Sequence, residues 1–165
     1  MYLVAVRGRE YFVLREYVGQ GEQGYAPRTH ARAILDMLSE FGRTVHHVTD
    51  AYGDTNSAGM LSAGVKYNRL LEREVARILN ASSPPLDIAP AQKGPGSVAA
   101  GESALNAALL QGRLWVHESC VRLQYSARHY TGREQDLKDP IDALRYALSH
   151  ELLVPWMGDA VEIRL

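Results

Sequence analysis

The chain has 165 residues, 46% of them hydrophobic and 22% charged, with a formal net charge of −1. That composition suits one soluble globular domain with a real core, and it shows no overall basic excess of the kind that marks nucleic-acid binders, although a local basic patch can coexist with an acidic site. The single cysteine, Cys120, excludes an internal disulfide and a multi-cysteine zinc site, and it fits a reducing cytoplasm.

No leader is expected from the opening residues, and no apolar run approaches the roughly 20 residues that span a bilayer. Tyr2–Val6 and Tyr11–Val18 are apolar runs rich in β-branched and aromatic residues, and the short polar link between them predicts a β-hairpin. A Gly/Gln loop follows. Ala31, Ile34, Leu35, Leu38 and Phe41 recur at helical spacing, so a helix is expected from about Pro27 to Phe41, stopped by Gly42.

Thr44–Thr49 reads as a strand, with Asp50 at its end and a Gly/Ser/Asn/Asp loop from 51 to 64 beyond it. An acidic residue at the C-terminal tip of an α/β strand stands where such sheets bind ligands. A turn-forming Asp explains the same residue equally well. His46 and His47 on one strand would point to opposite faces and could not share a metal.

A helix from about 66 to 80 is expected to turn Leu71, Val75, Ile78 and Leu79 inward, and Arg69, Arg73 and Arg77 outward onto a face balanced by Glu72 and Glu74. A short strand at 86–89 leads into a Gly/Pro loop, 90–97, that opens a helix running to about Leu110. The loop lacks the Gly-x₄-Gly-Lys-Ser/Thr order of a P-loop. Lys93 within it is either a phosphate contact or a solvated lysine. A strand over 113–117, a helix over 119–129 with Val121, Leu123 and Tyr125 partly inward, and a polar loop at 131–138 come next.

The stretch Lys138–Leu148 has the plan of a capped helix. Pro140 suits the first turn, Asp139 the N-cap and Asp142 the position one turn on, while Ile141, Leu144, Ala147 and Leu148 form an apolar stripe. Two carboxylates at one helix start are either an acidic first turn or half of a divalent-metal site. Trp156 and the run Val161–Leu165 close the chain as a strand or an edge cover. Alternating strands and helices make the expected class α/β, with a mixed sheet flanked by helices.

Several motifs then fall in one order. Ile88-x-Pro90-Ala91-x-Lys93-Gly94-x-Gly96-Ser97-Val98-x-x-Gly101 is followed by Gly112-Arg113-Leu114-x-Val116-His117-x-x-Cys120, by Tyr130, and by Asp139-x-x-Asp142-Ala143-Leu144-Arg145-Tyr146-Ala147. This series resembles the C-terminal nuclease domain of the large terminase subunits of tailed bacteriophages, over almost the whole chain. The resemblance implies an RNase H-like fold across residues 1–165 and a metal-dependent endonuclease that cuts concatemeric viral DNA during genome packaging. It implies Asp50 and Asp142 as catalytic metal ligands, with Asp139 where the family often carries a His. It implies two Mg²⁺ or Mn²⁺ ions about 4 Å apart as cofactors. Lys93 and Arg145 become candidate DNA contacts, Arg145 being better suited to pair with a neighbouring carboxylate.

The partners it implies are double-stranded DNA and, in the intact protein, the ATPase domain, the small terminase subunit and the portal, in a bacterial host cytoplasm and away from membranes. The family's first catalytic Asp lies on a central strand ahead of the segment matching Met1. The chain is therefore expected to lack that strand, and the tail strand, a shifted register or a partner chain to fill its place. The alternative is a catalytically inactive terminase module that binds DNA or packaging partners. Another RNase H-like enzyme, such as a junction resolvase, fits the motif order less well. Glu16, on the second hairpin strand, reads as a solvated residue or a replacement ligand.

Overall fold

The computed structural model describes residues 1–19, 26–53, 67–91, 96–148 and 161–165. They form a mixed α/β fold with five α-helices and a small mixed sheet. The chain divides into two compact units, one of Met1–Glu16 with Gln92–Leu165, the other of Tyr17–Ala91.

In the first unit, β1 (Tyr2–Arg7) and β2 (Glu10–Glu16) form the expected antiparallel hairpin. Gly8 turns it with a φ of 61°, a conformation that costs glycine little. Tyr2, Leu3, Val4 and Val6 are all buried, so β1 is covered on both faces and its continuous apolar run follows. β6 (Val161–Arg164) runs antiparallel along β1, with Val4 opposite Arg164 and Arg7 opposite Val161. β5 (Leu114–Val116) lies parallel to β2. The four strands therefore stand in the order β6, β1, β2, β5, and the tail does add a strand to the hairpin.

Three helices complete this unit: α3 (Ser97–Leu110), α4 (Val121–His129) and α5 (Gln135–Leu148). Their buried side chains, among them Leu105, Leu123, Leu144 and Leu148, join Val4, Val6 and Val13 of the strands in one core. Each such side chain contributes roughly 1.5–3 kcal/mol on burial. Val121 and Tyr125 were expected to face partly inward, but they are 68% and 55% exposed. Leu123 faces the core as expected, and Ser126 joins it there.

The second unit holds α1 (Pro27–Glu40), β3 (Val48–Gly53), α2 (Tyr67–Ile78) and β4 (Ile88–Pro90). Pro27 opens α1, and Ala31, Ile34, Met37 and Leu38 are its buried stripe. β3 and β4 pair in parallel, Ala51 opposite Ile88, and Ala91 N–H extends the ladder to Gly53 O at 3.0 Å. Glu72 on α2 was expected on a solvated face. It is buried, and it accepts the Ile88 N–H at 2.8 Å and Arg69 Nη1 at 2.7 Å. Leu79 lies beyond the end of α2 and is exposed.

The expected strand at 44–49 is displaced. Val45–His47 forms a 3₁₀ turn, because the Thr44 N–H donates to His47 Nδ1 at 3.1 Å in a capping box. The strand therefore starts at Val48 and runs through Asp50 to Gly53. His46 and His47 lie on that turn, not on opposite faces of a strand.

Candidate functional site

The helix that carries the expected carboxylates starts earlier than Pro140 implies. Glu134 accepts the Thr131 hydroxyl at 2.6 Å and the Thr131 N–H at 2.9 Å, and Lys138 N–H already bonds back to Glu134 O at 3.0 Å. This Thr-x-x-Glu pair organises the chain just ahead of α5, so Pro140 falls inside the helix. Proline lacks the N–H that would reach the Asp136 carbonyl, and the helix gives up that bond. Asp139 is consequently an exposed helical residue and not an N-cap.

Asp142 is held one turn further on. Its Oδ1 accepts Arg145 Nε at 3.2 Å and Nη2 at 3.1 Å, and its Oδ2 stands 3.8 Å from Lys138 Nζ. The Asp142 side chain is 17% exposed and that of Arg145 only 3%. Arg145 also lies over the Tyr146 ring, 4.6 Å from its centroid. Its Nη1 is buried and has no hydrogen-bond partner among the described residues. The site is closed from above by α3: a Cβ at Gly101 would run into Cγ and Cδ of Arg145. Glycine inside a helix costs about 0.5–1 kcal/mol relative to alanine, and here it makes room for the arginine stem.

Asp50 belongs to the second unit, where it is the third of six residues of β3, half-buried and not at the strand tip. Lys93 and Trp156 lie outside the described residues, as does most of the loop expected at 51–64. Arg145 was a candidate DNA contact; its guanidinium is turned into the protein and engaged by Asp142. Among the described residues, no group of three or more His, Cys, Asp or Glu side chains converges as a metal cluster.

Comparison with family models, with curated proteins and with solved structures finds no match to this chain. No helix among the described residues is long and apolar enough to cross a membrane.

Glu16 has a different task from either expected one. Its carboxylate accepts the N–H groups of Arg122 at 2.7 Å and Leu123 at 3.0 Å, so it caps α4 from β2. The N-cap position itself holds Cys120, which makes no side-chain cap. A helix that begins without a Ser, Thr, Asp or Asn is the one sequence signal that a distant carboxylate was needed. Cys120 is a buried thiol, with Sγ 3.8 Å from Val13 O. Burial, and then the charge of Glu16, push its thiol up to about 11.

Next to this group is a cavity of about 320 Å³ between α3, β5, α4 and α5. Ile141 and Leu144 of α5 line it, and Glu102, Asn106 and Tyr130 bring polar atoms to it. Asp142 is not part of its wall.

Proposed function

We propose that this chain is a nuclease module of the terminase type, with an RNase H-like sheet and a carboxylate site centred on Asp142. The observation that carries the reading is the meeting of Gly101, Asp142 and Arg145. These residues come from two separated motifs of the resemblance, and each has a physical reason to be the residue it is. Arg145 fixes one oxygen of Asp142 and so holds the carboxylate in a single orientation. The pairing of β6 with β1 supports the sheet half of the reading, since the resemblance calls for a central strand beside the hairpin.

Asp139 and Asp142 fit a hard divalent cation in kind, because Mg²⁺ and Mn²⁺ take carboxylate oxygens. Oδ2 of Asp142 is 3.8 Å from Lys138, beyond hydrogen-bond length, and is the oxygen this reading assigns to the ion. Mg²⁺ or Mn²⁺, as two ions, would supply an activated water and neutralise charge on the scissile phosphate. The substrate in this reading is double-stranded concatemeric DNA in a bacterial host cytoplasm. The ATPase domain, the small terminase subunit and the portal are its partners in packaging. Asp50 keeps the ligand role that the resemblance gives it, to be tested by its own variant.

A second reading has its own observation. Asp142 lies between two cations, an arrangement that also suits a purely structural carboxylate. In that case the module binds DNA or packaging partners without cutting.

Nicking of supercoiled plasmid with Mn²⁺ and with Mg²⁺ separates the two. The variant of choice is Asp142→Asn, because Arg145 still finds an acceptor and the fold is kept. Metal-dependent nicking by the chain that is lost in Asp142→Asn, and reduced in Asp50→Asn and Asp139→Asn, is the expected result. A folded chain that leaves the plasmid intact at high metal overturns the cutting reading in favour of the second.

A further inference from the structure

The outer face of α4 is a small basic-aromatic surface that the carboxylate site does not use. At about 100° per residue, Arg128, Val121, Tyr125, His129 and Arg122 follow one another across a single arc of the helix. All five are exposed, while Leu123 and Ser126 on the opposite arc are buried. The nine residues of α4 include two arginines and no acidic side chain.

The aromatic pair on this face is ordered. Tyr125 and His129 stack with ring centroids 4.2 Å apart and planes 26° from parallel. His129 Nδ1 lies 2.8 Å from the Tyr125 carbonyl oxygen. A carbonyl only accepts, so Nδ1 carries the proton and the imidazole is locked in place. Glu16 holds the N-terminus of the helix, so the face is presented by an anchored element.

We propose that the α4 face binds single-stranded DNA, with Tyr125 stacking on a base and Arg122 and Arg128 meeting the flanking phosphates. The chemistry selects this occupant. Two cations with no acid between them favour a polyanion, and a half-exposed ring stack favours a planar base that is free of its duplex partner. A lipid surface would require large aliphatic anchors, and Val121 is the face's one aliphatic side chain. The proposal does not rest on the nuclease reading, since Asp142 is on another helix.

The test is fluorescence anisotropy of a labelled oligothymidine of about 20 nucleotides, titrated with the full chain in EDTA. We expect saturable binding that Tyr125→Ala weakens about tenfold or more and that Tyr125→Phe preserves. The double variant Arg122→Gln/Arg128→Gln should flatten the log–log salt dependence by about 1.4, since each phosphate it no longer neutralises accounts for roughly 0.7. These side chains are exposed, so circular dichroism should be unchanged. Absence of binding at low salt, wild-type affinity in Tyr125→Ala, or an equal loss of affinity for the matching duplex in that variant would each overturn the proposal. The titration is run in EDTA and reads binding alone, so a failure to nick plasmid leaves this inference standing.

Discussion

Gly101 on α3 lies so close to Arg145 on α5 that a β-carbon at position 101 would occupy the place of the arginine's Cγ and Cδ. Gly101→Ala should therefore destabilise the fold by about 1–3 kcal/mol, as overpacking does, in spite of alanine's better helix propensity. In an Arg145→Ala background the same change should be neutral or slightly stabilising. A double-mutant cycle followed by urea unfolding reads the coupling directly. Equal costs in both backgrounds would mean that the two residues do not compete for space.

Asp142 and Arg145 form a pair whose two halves are unequally buried, and the arginine is the more enclosed. Removing the carboxylate leaves a buried guanidinium without a counter-ion. Asp142→Ala should then cost about 3–5 kcal/mol, and Asp142→Asn less than half of that, because an acceptor oxygen remains. Urea midpoints of the two variants check this. If Asp142→Ala unfolds like the wild type, Arg145 has found another partner and the pair is not what orients Asp142.

Much of the scaffold was legible from local signals, and the failures came where two such signals competed. The hairpin and α1 follow from strand composition and helical spacing, and both form nearly where expected. Pro140 with Asp139 looked like a helix start, but Thr131 and Glu134 organise the chain earlier and leave the proline inside α5. Thr44 with His47 likewise turned a β-rich run into a 3₁₀ turn and moved Asp50 into the strand. The pairing of Asp142 with Arg145 is an i,i+3 contact, readable from spacing alone. The approach of Gly101 to Arg145 and the capping of α4 by Glu16 join residues far apart in sequence. No periodicity reports contacts of that kind.

Glu16 supplies both acceptors at the start of α4, in place of an N-cap residue that cannot do so. Glu16→Ala should cost about 1–2 kcal/mol. The effect should be local as well, with faster hydrogen exchange at the amides of Arg122 and Leu123. Glu16→Gln should show a smaller change at the same two amides. Unchanged exchange there would show that water satisfies these donors equally well.

In the second unit, Glu72 ties α2 to β4 through the Ile88 N–H and holds Arg69, which also bridges Asp87 at 2.9 Å. Arg69 is largely exposed, so its ion pairs add little. The stabilising contact is the buried backbone donor. Glu72→Ala should cost about 2–3 kcal/mol by leaving that N–H unsatisfied, and Glu72→Gln about 1 kcal/mol. Thermal unfolding of the two variants distinguishes this from an ion-pair role, in which Gln would be as damaging as Ala.

Glu134 gives the fold an acid-sensitive joint. The Thr131 hydroxyl, and then the Thr131 backbone N–H, hold its carboxyl at about 2, below the usual 4.5. A carboxylate depressed in the folded state contributes its stability in full above the unfolded value. That contribution is lost as pH falls from about 4.5 through about 2. The link between Thr131 and the start of α5 should thus loosen across that window and not above it. A carboxyl-carbon NMR titration of Glu134 should show a midpoint near 2 in the wild type, moving toward 4.5 in Thr131→Val. Glu134→Gln should remove this part of the acid response. A wild-type midpoint at 4.5 would mean that the Thr131 contacts do not persist in solution, and that another interaction sets where α5 begins.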